Sequence, residues 1–157
     1  MTDSPVTIRA AQDGTTEDGP PKSRESVGLM LVTHRGVGSE LLATAAATLG
    51  ICPLQTRCLE VQEYDDPDLL IGRGRQLADE IDRGDGLLIL TDACGSTPAN
   101  IALGIAEGRR IRVLGGLNLP MLLRVYNYAG LSLEALAEAA LVGGRTGVAA
   151  ADREEPA

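Results

Sequence analysis

The chain has 157 residues, 44% of them hydrophobic, and a formal net charge of −8. That length fits one domain burying roughly 68–70% of the surface its unfolded form would expose, around an aliphatic core because Phe and Trp are absent. The single histidine, His34, excludes two-His metal sites, and the acidic balance with three Tyr as the only aromatics argues against a nucleic-acid module.

Residues 1–26 are polar and rich in Gly and Pro, which predicts a disordered N-terminal tail and no signal peptide. Val27–Thr33 is a nearly continuous apolar run, as expected for a strand covered on both faces. Ser39–Leu49 is rich in Ala and Leu and stops at Gly50, which predicts a helix with a glycine terminator. Gln55–Val61 alternates like a strand near a sheet edge. Asp66-Pro67-Asp68 supplies a cap, a first-turn proline and a first-turn acid for a helix to about Asp82, which Gly72 and Gly74 weaken.

Gly86–Thr91 reads as a second buried strand. Thr97-Pro98 offers an N-cap and a first-turn proline for a helix over 98–107, closed by Gly108. Ile111–Leu114 is a short buried strand, and Asn118 with Pro120 opens a helix to about Ala129. Ser132–Val142 is an amphipathic helix expected to end at Gly143-Gly144. The pattern allows a short edge strand over residues 147–151, and 152–157 read as a second tail. The order β-α-β-α-β-α-β-α-α predicts an α/β domain over 27–151, an open and mostly parallel sheet with helices on both faces.

In such sheets ligands bind beyond the C-terminal ends of the strands, at the switch in strand order. Thr33-His34-Arg35-Gly36 follows the first strand, Asp92 through Pro98 the third, and Gly115 through Pro120 the fourth. With the first and third strands adjacent, His34 and Asp92 would face each other. Each residue alone has a plainer role, as a surface histidine, a turn cap or a helix cap. One chemistry accounts for all of them: phosphoryl transfer to an imidazole. The acceptor ring must be neutral, which histidine's ordinary range near 6.5 permits. A carboxylate on one ring N–H fixes the tautomer and stabilises the charge that develops as the other nitrogen attacks. Gly95, Ser96, Thr97 and Asn118, at two helix N-termini, are the candidate phosphate-binding residues. Arg35 is a candidate phosphate or partner contact. This chemistry needs no metal or other cofactor.

At these residues the sequence resembles the mannose-family IIA component of the bacterial phosphotransferase system, PTS. The matching pieces are Thr33-His34-x-Gly36, then Thr91-Asp92-x-x-Gly95-x-x-Pro98-x-Asn100, then Gly116 through Leu122, and Gly144-Arg145-x-Gly147-Val148. As an ordered set they span about residues 27–148. The resemblance implies a flavodoxin-like fold and a cytoplasmic phosphocarrier. In it, His34 accepts a phosphoryl group from phospho-HPr through Nε2, with Asp92 on Nδ1–H. The acceptor would be a IIB-type subunit or a regulatory target. It also implies a homodimer whose C-terminal strand is exchanged between subunits, and no direct membrane insertion.

The chain departs from the family pattern at several places. Ser96 and Thr97 stand where Gly and Ser are frequent, and Arg35 where a small residue is frequent. Cys94 occupies a position that often carries a large residue. An acidic run, Glu60–Asp68, replaces a Pro/Gly-rich turn, and reads either as disfavouring acidic partners on that side or as a solvated loop.

Three rivals use the same residues differently. A receiver domain needs acids after its first strand and a lysine after its last, whereas the only lysine here is Lys22. A Cys-His hydrolase would use Cys94, His34 and Asp92. A regulatory module would use phosphorylation of His34 to switch partner binding, without onward transfer. Cys52, Cys58 and Cys94 lack metal-ligand spacing and read as free thiols in a reducing compartment.

Overall fold

Strand β1 (Gly28–His34) carries the continuous apolar run, and its first six residues are buried. Successive side chains point to opposite faces, so Leu29 and Leu31 enter one core while Met30 and Val32 enter another. A computed structural model describes residues 26–152. The tails expected over 1–26 and 152–157 lie outside the described residues, apart from Ser26 and Asp152.

The remaining elements follow the predicted order: α1 (Val37–Leu49), β2 (Thr56–Val61), α2 (Pro67–Ile81), β3 (Leu87–Thr91), α3 (Thr97–Ala106), β4 (Ile111–Leu114), α4 (Leu119–Asn127) and α5 (Leu133–Thr146). All four strands are parallel, in the order β2-β1-β3-β4. Right-handed crossovers then dictate where the helices go. The step from β1 to β2 runs one way across the sheet, whereas the steps β2 to β3 and β3 to β4 run the other way. Accordingly α1 lies on one face, joined there by α4 and α5, and α2 and α3 lie on the other. The switch in strand order falls between β1 and β3, and opens a crevice at their C-terminal ends. Leu29, Leu31, Leu88 and Leu90 are fully buried on the α1 face, so Leu29→Ala should cost roughly 2–5 kcal/mol.

Three local expectations need correction. The N-cap of α3 is Ser96, whose side chain accepts from the Ala99 N–H; Thr97 is already helical. The Ser96 hydroxyl also donates to the Ala93 carbonyl at 2.6 Å, which fixes the cap one residue early. Gly143-Gly144 does not end the last helix, which runs on to Thr146. A Cβ at Gly143 would press on Arg124, one at Gly144 on Met121 and one at Gly147 on Pro120. These glycines let α5 approach α4 closely. Residues 147–151 form no strand in the described chain: 148–150 are irregular and exposed, and Val148 is 78% exposed. Helix α5 continues through the glycines to Thr146, and the segment leaves its end without strand pairing.

Candidate functional site

The end of β1 is fixed by Thr33, which is fully buried. Its hydroxyl donates to the His34 carbonyl at 2.8 Å and accepts from the Gly38 N–H at 2.9 Å. One side chain thus ties the last strand residues to the first turn of α1. Gly36 makes the reversal at φ +83°, a left-handed conformation that favours glycine. The sequence pattern picked out Gly36 but not the latch at Thr33 and Gly38.

His34 leaves this turn with its side chain 54% exposed, while the Asp92 side chain is only 13% exposed. Asp92 Oδ2 lies 2.8 Å from His34 Nδ1 and accepts the His34 backbone N–H at 3.0 Å. Asp92 Oδ1 accepts the Ala93 N–H at 3.1 Å. Burial pushes the Asp92 carboxyl up, but the hydrogen bonds from the His34 ring and backbone outweigh it. The net effect holds the carboxyl below its ordinary range. An ionised carboxylate only accepts, so Nδ1 carries a proton in this contact, and in a neutral ring the lone pair then falls on Nε2. Among the described residues Nε2 has no hydrogen-bond partner.

Gly95 (φ +76°) turns the chain from Asp92 into α3. The N–H groups of Gly95 and Thr97 have no acceptor among the described residues, and the Thr97 side chain is exposed. The Ser96 hydroxyl is already spent on the α3 cap. Asn118 is differently placed. It follows β4, and the N–H of the adjacent Leu117 donates to the Thr91 carbonyl at 3.0 Å, one residue before Asp92. Its carbonyl oxygen caps α4 through the Met121 N–H at 2.9 Å, and its amide donates to the Gly144 carbonyl at 3.1 Å. Both ends of that side chain serve the packing of α4 on α5. The structure therefore brings His34 and Asp92 into contact, with Gly95–Thr97 directly following, while the Asn118 side chain is engaged between α4 and α5.

On the other flank, His34, Arg35, Val61, Gln62, Glu63 and Tyr64 line a cavity of about 440 Å³. Tyr64 is 93% exposed there. Cys94 turns the opposite way: its sulfur packs against Gly115, after β4, where a Cβ would collide with it. The His34 ring is held by Asp92 and not by this thiol.

A family model named EIIA-man, described as PTS system fructose IIA component, matches residues 28–141. The chain belongs to this family. Among solved structures it is similar to the mannose/sorbose-specific IIA subunit of the phosphotransferase system from Enterococcus faecalis. That pair shares 23% identity and a TM-score of 0.73, over 83% of this chain and 98% of the other. It is also similar to the PTS IIA protein associated with the fucose utilization operon from Streptococcus pneumoniae. There the identity is 22% and the TM-score 0.62, over 73% and 88% of the two chains. A sigma-54 interaction domain protein from Enterococcus faecalis shares the fold at 19% identity and a TM-score of 0.66, covering 79% and 94%. No curated protein matches the chain. No helix among the described residues is long and apolar enough to cross a membrane.

As a IIA component, the chain shows one arrangement that its sequence did not reveal. Glu60, counted among the solvated acids, reaches from β2 to the start of α1 and accepts the Ser39 N–H at 3.2 Å. The strand register supplies the reason: Glu60 pairs with Thr33, one residue before His34.

Proposed function

We propose that this IIA-family chain is a phosphohistidine carrier. The reading rests on one observation, the 2.8 Å contact between His34 Nδ1 and Asp92 Oδ2 beside an exposed ring. In the proposed reaction the Nε2 lone pair attacks phosphorus on phospho-HPr. The donor's bond to phosphorus breaks, and its electron pair returns to the donor. The Nδ1 proton stays on the ring, and Asp92 stabilises the positive charge that the ring acquires. The free N–H groups of Gly95 and Thr97, at the positive end of α3, hold the phosphoryl oxygens. Arg35 contacts the phosphoryl group or the partner.

The phosphoryl group then passes to a IIB-type subunit or serves as a regulatory signal. The carrier works in the cytoplasm as a homodimer. In the dimer, residues 147–151 of one subunit complete the sheet of the other. In support, β4 is an edge of the sheet with nothing strand-like outside it among the described residues.

Incubation with phosphoenolpyruvate, enzyme I and HPr should place an acid-labile, base-stable phosphate on the wild-type protein and none on His34→Ala. Uptake by that variant, or none by wild type, would overturn the reading. Sedimentation at micromolar concentration should give a dimer, and a monomer would remove the exchanged strand. Loss of function in Cys94→Ala, without phosphoryl acceptance by wild type, would favour the hydrolase rival.

A further inference from the structure

The aromatic side chains of this chain are three tyrosines, and they are placed very differently. Tyr126 is buried, with its hydroxyl 2.9 Å from that of Thr56. Tyr128 is half-exposed, with the Arg124 guanidinium over its ring. Tyr64 is 93% exposed. Packing accounts for the first two and not for the third.

The strand register carries Tyr64 to the histidine. His34 pairs with Val61, so the loop after β2 begins beside it. The chain then turns at once. The Gln62 carbonyl accepts the Asp65 N–H at 3.1 Å, and Asp65 Oδ2 accepts the Gln62 N–H at 2.8 Å. Asp66 caps α2 directly afterwards. Tyr64 stands inside this closed turn and lines the cavity that also holds His34 and Arg35. Such turns favour Gly, Asn and Asp, so the turn itself does not call for an aromatic.

We propose that Tyr64 is a docking residue for the phosphoryl donor protein, its ring entering an apolar recess beside the donor's phosphohistidine. This rests on the carrier reading above, with phospho-HPr as the donor. Transfer brings the donor's phosphorus within about 3–3.5 Å of Nε2, so the donor's surface lies over whatever surrounds the exposed ring. On the α3 side that is the loop Gly95–Thr97. On the β2 side it is Val61 and Tyr64, with Arg35 and Glu63 in the same cavity. A tyrosine gives a large contact area at small entropy cost, and the closed turn has already fixed its backbone. Glu63 forms no ion pair among the described residues, so the donor face that fits carries positive charge opposite it.

Transfer from phospho-HPr is followed at increasing concentrations of the full chain. Tyr64→Ala should raise KM about 10–30-fold, the range of an interface hot spot, with the maximal rate unchanged. Tyr64→Phe should stay within about 3-fold of wild type, because the ring and not the hydroxyl makes the contact. An unchanged KM in Tyr64→Ala would overturn the proposal. Phosphoramidate, a small donor with no docking surface, should phosphorylate His34 of wild type and Tyr64→Ala at one rate. A slower rate in the variant would place Tyr64 in the chemistry of the ring and overturn its docking role.

A second measurement does not depend on phosphorylation. Calorimetric titration with unphosphorylated HPr should give a Kd about 10–30-fold weaker for Tyr64→Ala than for wild type. Equal affinities, or no binding by wild type, would overturn the proposal whatever His34 does. If His34 takes up no phosphoryl group from either donor while HPr still binds through Tyr64, the carrier reading fails and the docking residue stands.

Discussion

Glycine does opposite work in the crevice between β1 and β3 and in the pair α4–α5. Around the crevice, Gly36 and Gly95 stand at positive φ, where they swing the chain from strand to helix beside His34 and Asp92. In the helix pair, Gly143 and Gly144 are ordinary helical residues, and what matters is the missing side chain against Arg124 and Met121. The first use sets local chain direction and the second sets the distance between two helices. A crevice glycine therefore bears on the geometry of the histidine, and a helix-pair glycine bears on stability.

Substitutions on each side can break that contrast. The largest effect is expected at the crevice. Asp92→Asn should slow phosphoryl transfer roughly 10–100-fold with an unchanged circular dichroism spectrum, because the ring loses its orienting charge. Equal transfer rates would remove Asp92 from its role. In the helix pair, Gly143→Ala should lower stability by about 1–3 kcal/mol in denaturant titration, since its Cβ meets Arg124. Phosphoryl uptake by the folded fraction should persist. Asn118→Ala should cost about 1 kcal/mol through the lost α4 cap, again with uptake retained. Loss of uptake in that variant would return Asn118 to the phosphate site. Gly72→Ala is the control for the glycine argument. Gly72 is helical with open space around it, so alanine there should stabilise by about 0.5–1 kcal/mol.

The smallest effect is a pH dependence. The folded-state pKa of Asp92 is depressed, so its contribution to stability is present above the ordinary carboxylate range, near 3.9. That contribution is lost as pH falls through the depressed value. The melting-temperature gap between wild type and Asp92→Asn should therefore be widest near neutral pH and shrink on acidification. A gap independent of pH would contradict the shift.

The sheet order and the meeting of His34 with Asp92 were legible because each rests on short-range signals. Val27–Thr33 and Gly86–Thr91 are unbroken apolar runs, and parallel βαβ units admit few arrangements. Contacts set by tertiary packing were not legible, the Thr33–Gly38 latch among them. Gly143-Gly144 looks like a helix stop when the partner helix is unknown, because close approach is a tertiary property. Glu60 looks like one more solvated acid in an acidic run, because only the register of β2 on β1 sets it beside the start of α1. Asn118 was legible as the opener of α4, which it caps, whereas the cap of α3 fell on Ser96 and not on Thr97.

The central claim is that Asp92 holds the Nδ1 proton so that Nε2 is the nucleophile. Long-range proton–nitrogen correlation spectra of ring-labelled protein, recorded before and after incubation with enzyme I, HPr and phosphoenolpyruvate, test it most directly. The account predicts a protonated Nδ1 in both states and the phosphoryl group on Nε2 of His34. A phosphoryl group on Nδ1, or none on His34, would contradict it.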